Sequence, residues 1–153
     1  MLDTTISNPT ILAPDHGEVI EARGCRVVIK VASERQSLCD YTAPPGFPGP
    51  PLHVHAGFDE TFLVLEGHLT IRIRDEASRL EPGAVAFAAG AVPHTFANPE
   101  LEPVRFLVVY SPGGFEEYFR AVAAGDDEAM QEVARRVGYA PITRAEATRT
   151  ANR

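Results

Sequence analysis

Four side chains in this chain are spaced to do metal chemistry: His53, His55, Glu60 and His94. His53 and His55 flank a single valine, and residues two apart on a β-strand point to the same face. Glu60 follows five residues after His55, where a short loop can return the chain to that face. His94 arrives further on, flanked by strand-like sequence. Three imidazoles and one carboxylate form a borderline-hard ligand set, suited to Mn, Fe, Co, Ni, Cu or Zn rather than Ca or Mg. The expectation is one such divalent transition metal per chain. A site of this kind usually leaves one or two coordination positions for water or substrate, the mark of catalytic rather than structural metal. The ion can act as a Lewis acid, bind a substrate enolate, or present dioxygen. Glu60 is also the candidate catalytic base, because a carboxylate in an apolar interior is expected to have a raised pKa.

The elements that must hold these residues read as short strands. Val19-Ile20 lies in a brief strand before a turn at Gly24, residues 26–31 are rich in β-branched side chains, and 37–42 is a further candidate. Residues 43–51 hold five prolines and two glycines in nine positions. That stretch is neither helix nor interior strand, so an ordered loop leads into His53. Residues 60–66 and 68–74 read as a hairpin around Glu66-Gly67. In its second arm Leu69, Ile71 and Ile73 alternate with Thr70, Arg72 and Arg74. Leu80-Glu81-Pro82-Gly83 is a turn signal. Strands at 84–88, 94–97 and 104–110 complete the β region, and many short strands with Gly/Pro turns indicate a sandwich or barrel.

After Ser111-Pro112-Gly113-Gly114 the period changes. Phe115, Tyr118, Phe119 and Val122 recur at helical spacing, as do Ala129, Met130, Val133 and Val137. Asp126 or Asp127 is placed to cap the second helix. The expected organisation is an N-terminal arm over 1–16, a β-barrel over 17–111, a helical extension over 112–144, and a frayed polar tail over 145–153.

Composition bounds the partners. The chain has 153 residues, enough for one domain with a real core, and ordinary hydrophobic (44%) and charged (23%) fractions. A net charge of −7 with no basic patch argues against nucleic acid. No apolar run approaches a membrane span and no signal segment is evident, so a cytoplasmic protein is expected. Cys25 and Cys39 are expected to be buried thiols in a reduced compartment.

Residues 50–67 (Pro-Pro-Leu-His-Val-His-Ala-Gly-Phe-Asp-Glu-Thr-Phe-Leu-Val-Leu-Glu-Gly) and 82–98 (Pro-Gly-Ala-Val-Ala-Phe-Ala-Ala-Gly-Ala-Val-Pro-His-Thr-Phe-Ala-Asn) resemble the two motifs of the cupin superfamily. The resemblance implies an all-β, cupin-type jelly-roll β-barrel, here followed by two short C-terminal α-helices, and a metal held by His53, His55, Glu60 and His94. Asp59 is the rival carboxylate, but the register to Gly67 favours Glu60. His16 and His68 are read as ordinary histidines. Two slots depart from the family pattern. Phe47 stands where glycine is common, and Ala89 and Ala91 take the proline and glycine positions before His94.

If His53 and Glu60 face inward, strand alternation also turns Phe62 and Val64 inward, with Phe96 beside His94 and Tyr41 or Phe47 at the mouth. These side chains either line a substrate pocket or are simply core. An apolar, aromatic cavity with few polar groups suits a flat, oxygen-bearing small-molecule substrate. The segment 60–67 and the helical tail from Pro112 look like those of small single-domain bacterial cupins of the quercetin 2,3-dioxygenase-like group. That likeness implies a dioxygenase acting with dioxygen on a flavonol or other enolisable aromatic, and a homodimer. A redox-neutral cyclase, isomerase or decarboxylase stands as the alternative, as does a non-enzymatic small-molecule-binding barrel, because fold does not fix function.

Overall fold

A computed structural model describes residues 11–143 and 145–147. It is a mostly β structure of two antiparallel sheets, of the jelly-roll type. Strand β1 (Glu18–Ala22), β2 (Cys25–Ala32), β3 (Ser37–Ala43), β4 (His53–His55) and β5 (Asp59–Glu66) are followed by β6 (Leu69–Ile73), β7 (Glu76–Leu80), β8 (Val85–Ala88), β9 (His94–Ala97) and β10 (Val104–Ser111). Helices α1 (Glu116–Ala124) and α2 (Asp127–Arg136) come next, then a last strand, β11 (Tyr139–Pro141). One sheet runs β1-β2-β3-β10-β5-β8, and the other runs β11-β4-β9-β6-β7.

Period-2 patterning fixes which side chains meet between the sheets. In β10 Val104, Phe106, Val108 and Tyr110 are buried while the residues between them are only half so, and in β5 Glu60, Phe62 and Val64 alternate in the same way. These two strands are neighbours with Tyr110 opposite Glu60 and Val108 opposite Phe62. The central sheet therefore carries a polar pair at one end of an otherwise apolar inner face. Leu69 and Ile71 of β6 close the core from the other sheet, as the alternation in that segment leads one to expect.

Two sequence expectations are corrected, and two further strands appear. Residues 60–66 and 68–74 do not form a hairpin: β5 and β6 lie in different sheets, and Glu66-Gly67 is the corner between them. Gly67 (φ +73°) makes that corner where a Cβ would lie 2.5 Å from the Pro103 carbonyl oxygen. The hairpin is one strand later, with Ile73 opposite Glu76 in the β6–β7 ladder. Strand β7, Glu-Ala-Ser-Arg-Leu, carries little β-propensity and is largely exposed, so only its pairing to β6 reveals it. Strand β11 is likewise set by tertiary pairing, with Tyr139 opposite His55 and Pro141 opposite His53. The described part of the expected frayed tail is a helical turn over 145–147, in which Ala147 is fully buried. The remaining tail and residues 1–10 of the expected N-terminal arm lie outside the described residues.

The helices form where their spacing places them. Asp126 caps α2 by accepting from the Ala129 N–H at 2.9 Å. Buried Glu116 accepts from the Ser37 hydroxyl and from the Gly114 N–H, which ties the start of α1 to β3. Arg120 makes a forked ion pair with Glu18 of β1. Among the described residues no helix is long and apolar enough to cross a membrane. Cys25 and Cys39 are both free and buried.

The proline-rich loop is ordered by buried contacts. Fully buried Asn98 donates through Nδ2 to the Pro44 and Glu102 carbonyls at 3.0 and 2.8 Å, and its backbone N–H donates to the Phe47 carbonyl at 2.9 Å. Gly49 (φ +75°) packs so closely on β9 that a Cβ would fall 1.6 Å from the Phe96 carbonyl oxygen. Gly49→Ala is therefore expected to destabilise the fold by about 3 kcal/mol, the sum of left-handed strain and a backbone clash. Urea unfolding measures this, and an unchanged midpoint would show that the loop does not approach β9 so closely.

Candidate metal centre

The four sequence-predicted ligands come together. Strand β4 puts His53 and His55 on one face, both buried, and pairs His53 with His94 of β9. Glu60 enters from β5 in the other sheet. His55 Nε2 and His94 Nε2 each lie 2.9 Å from Glu60 Oε2 and 3.0 Å from each other. Donor atoms of all four residues lie within 4.8 Å of one another, and all four side chains are buried.

The second ring nitrogens decide what the first can do. His53 Nδ1 meets the Pro51 carbonyl at 2.7 Å, His55 Nδ1 the Phe58 carbonyl at 3.1 Å, and His94 Nδ1 the Val92 carbonyl at 2.8 Å. A carbonyl oxygen only accepts, so each Nδ1 carries a proton, and a ring in its neutral form aims a bare Nε2 lone pair at the centre. Two such lone pairs 3.0 Å apart, both beside an ionised carboxylate oxygen, repel unless a proton or a metal cation lies among them. The set of three imidazole nitrogens and one carboxylate fits a divalent transition metal, and the carbonyl-anchored Nδ1–H groups are the outer contacts that orient such ligands.

The electrostatics correct one expectation. Without a metal a proton on Nε2 takes that place: burial alone would raise the Glu60 pKa, but hydrogen bonds from a ring of His55 or His94 that carries this second proton outweigh it and hold the carboxyl down at about 2. Glu60 is thus ionised at any ordinary pH, not a carboxyl poised near neutrality. His53 is lowered to about 4 by burial and by the neighbouring His94. His94 moves the other way: burial lowers it, but the hydrogen bond to Glu60 and its charge raise it above the ordinary value.

An apolar cavity of about 530 Å³ opens onto this cluster. Tyr41, Phe47 and Phe96 line it. Phe62 and Val64 do not: they point inward but lie in the core, where Phe62 packs against Phe96 and Phe106. Asp59 is also outside the cluster, since its Oδ1 accepts from the Gly90 N–H at 2.7 Å and fixes the approach to β9. Phe58, Tyr110, Phe115, Tyr118 and Tyr139 line the cavity without having been singled out for it by sequence. Parity along β10 places Tyr110 inward with Phe106 and Val108, a usable signal. Tyr139 carries none, because its ring meets His53 (centroids 5.0 Å) only through the pairing of β11 with β4. Cys25 also faces the cavity, with its thiol pushed up to about 11 by burial and by Glu21.

His53 tests this electrostatic picture. Its folded pKa lies below the unfolded value, so the ring stays neutral on acidification until pH approaches about 4. In protein stripped of metal, long-range proton–nitrogen NMR correlation near pH 6 is expected to show His53 neutral, with its proton on Nδ1. A doubly protonated His53 ring at that pH would contradict the burial and tautomer assignment.

Residues 40–110 match the Cupin domain family. In sequence, no curated protein matches this chain. Among solved structures it is similar to the TT1209 protein from Thermus thermophilus, with 31% identity and a TM-score of 0.52 over 67% of this chain and 90% of that one. It is also similar in fold to an RmlC-like cupin from Shewanella frigidimarina, with 15% identity and a TM-score of 0.65 over 73% and 98% of the two chains. A third similar structure is the polyketide cyclase RemF from Streptomyces resistomycificus, with 20% identity and a TM-score of 0.58 over 68% and 80%. With the sheet order, the motif match and a buried His/His/Glu/His cluster typical of a cupin metal site, this chain carries a cupin domain and has the cupin fold.

Proposed function

We propose that this cupin is a metal-dependent enzyme acting on a flat, enolisable aromatic, as a dioxygenase of the flavonol-cleaving kind. The observation that carries the reading is the position of the ligand cluster at the inner end of an aromatic cavity. Among the described residues only two lining side chains other than histidine bear charge, Glu60 within and Arg23 at the mouth. A phosphorylated substrate calls for several basic donors, which this lining lacks. Stacked and edge-on rings such as Tyr41, Phe47, Phe96 and Phe115 suit a planar, largely neutral molecule.

A divalent transition metal held by His53, His55, Glu60 and His94 would supply Lewis acidity and, if redox-active, access to dioxygen. The remaining work falls to the chain's own residues. The aromatic walls orient the ring system and exclude water. Among the described residues Glu60 is the one carboxylate lining the cavity, so it is the acceptor for the substrate's hydroxyl proton. A carboxyl held near 2 is a weak base. It takes a proton only from a hydroxyl that is itself acidified, as an enolic hydroxyl beside a carbonyl is.

A redox-neutral cyclase, isomerase or decarboxylase acting on the same substrate class is the second reading. It needs only the acidified hydroxyl and a proton acceptor, and polyketide cyclase is the activity named for one structural neighbour. Oxygen-electrode assays with quercetin, across Mn-, Fe-, Co-, Ni- and Cu-loaded protein, separate the readings. Stoichiometric oxygen uptake with product formation is expected with at least one metal. Glu60→Gln is expected to lower that turnover by about 100-fold or more. Conversion of an enolisable aromatic without oxygen uptake would favour the second reading, and tight binding without turnover under every metal would make the protein a binding module.

A further inference from the structure

Two phenols in the cavity wall have one hydrogen more than they can use. Tyr41 of β3 and Tyr110 of β10 are 4% and 1% exposed, and both line the cavity. Their hydroxyl oxygens lie 2.5 Å apart. Each phenol brings one O–H and keeps it at neutral pH. One hydrogen joins the two oxygens. Among the described residues the second has no acceptor, since this mutual bond is the only one either hydroxyl makes. A buried donor without an acceptor is unfavourable, and the open side of this pair is the cavity.

The rings are held so that the spare donor has a fixed direction. Tyr41 stacks on Phe106 (centroids 5.1 Å) and meets Phe119 edge-on (5.7 Å), while Tyr110 meets Phe58 edge-on (5.3 Å). Tyr110 sits directly opposite Glu60 in the β5–β10 ladder. Residues so opposed share a face of the sheet, with Cβ atoms about 5 Å apart. A proton acceptor and a preorganised proton donor therefore stand side by side on one wall.

We infer that the Tyr41–Tyr110 pair recognises a carbonyl or enolate oxygen of the substrate, with its unspent O–H as the donor. This rests on the substrate reading above and narrows it. The substrate carries two oxygens, an enolic hydroxyl whose proton passes to Glu60 and a second, proton-accepting oxygen bound by the tyrosine pair. It is a keto-enol rather than a simple phenol. A donor fixed before the substrate arrives favours the oxygen that gains negative charge as the hydroxyl is deprotonated.

The test measures affinity in zinc-loaded full-length protein, where a redox-inert ion permits binding without oxidation. Quercetin, which has a ring ketone, is compared with catechin, which lacks it, in wild type, Tyr41→Phe, Tyr110→Phe and the double variant. The expected result is a loss of about tenfold for quercetin in the double variant, with catechin unchanged. One single variant should lose as much as the double and the other far less, because only the outer hydroxyl touches the ligand. Equal losses for both compounds, or no loss for quercetin in the double variant, overturn the inference. If the double variant does not fold, the single variants decide: equal losses in both, or a loss shared with catechin, overturn it. Wild-type protein that binds neither compound overturns the substrate reading itself, whereas quercetin binding untouched by the variants overturns only the role of the tyrosines.

Discussion

Three imidazole lone pairs and one carboxylate are held within hydrogen-bond reach of a common point, and the surrounding structure serves to keep them there. The lone pairs face inward because three backbone carbonyls, those of Pro51, Phe58 and Val92, take the opposite ring protons. Each carbonyl belongs to a different loop. The proline-rich loop supplies the first, the β4–β5 connection the second and the β8–β9 connection the third. This explains why those loops are ordered: Asn98 clamps the first through the carbonyls of Ala43, Pro44 and Phe47, Gly49 lets it lie against β9, and Asp59 pins Gly90 in the last. The strands set which residues face inward, and the loops set which nitrogen of each ring does so.

The cavity above this cluster is shared between the barrel and the C-terminal segment. Strand β11 covers the outer edge of β4 and sets Tyr139 against His53, while α1 and the turn before it contribute Phe115, Tyr118 and Phe119. The helices are anchored to the sheet by Glu116 and by the Arg120–Glu18 pair. At the mouth, the Arg23 guanidinium in the β1–β2 turn donates to the Tyr118 hydroxyl at 2.7 Å, which joins the first hairpin to α1 across the opening. The shape of the cavity is thus set as much by residues 115–139 as by the β motifs.

The His53/His55/Glu60/His94 cluster is legible in the sequence because its chemistry is local: His53 and His55 share a strand face, and Glu60 follows after one short loop. Inward parity along β5, β6 and β10 was legible for the same reason, since alternation is written in consecutive residues. Strand pairing was not. Glu66-Gly67 has the look of a hairpin turn, but its role as an inter-sheet corner depends on Pro103, far along the chain. Strands β7 and β11 have little propensity of their own and exist through β6 and β4. The Glu60 pKa is not legible in the sequence, because burial shows in the pattern while the hydrogen bonds that reverse it do not. Phe62 and Val64 were placed on the right face but at the wrong depth, since periodicity gives direction and not distance from a cavity.

The most direct test of a metal centre at these four side chains is X-ray absorption at the zinc edge of stoichiometrically loaded protein. The expected spectrum shows nitrogen and oxygen scatterers only, at about 2.0–2.2 Å, with the multiple scattering of three imidazoles that falls to two in His94→Ala. A sulfur scatterer, which Cys25 in the cavity wall could supply, or a spectrum indifferent to His94→Ala, would contradict it.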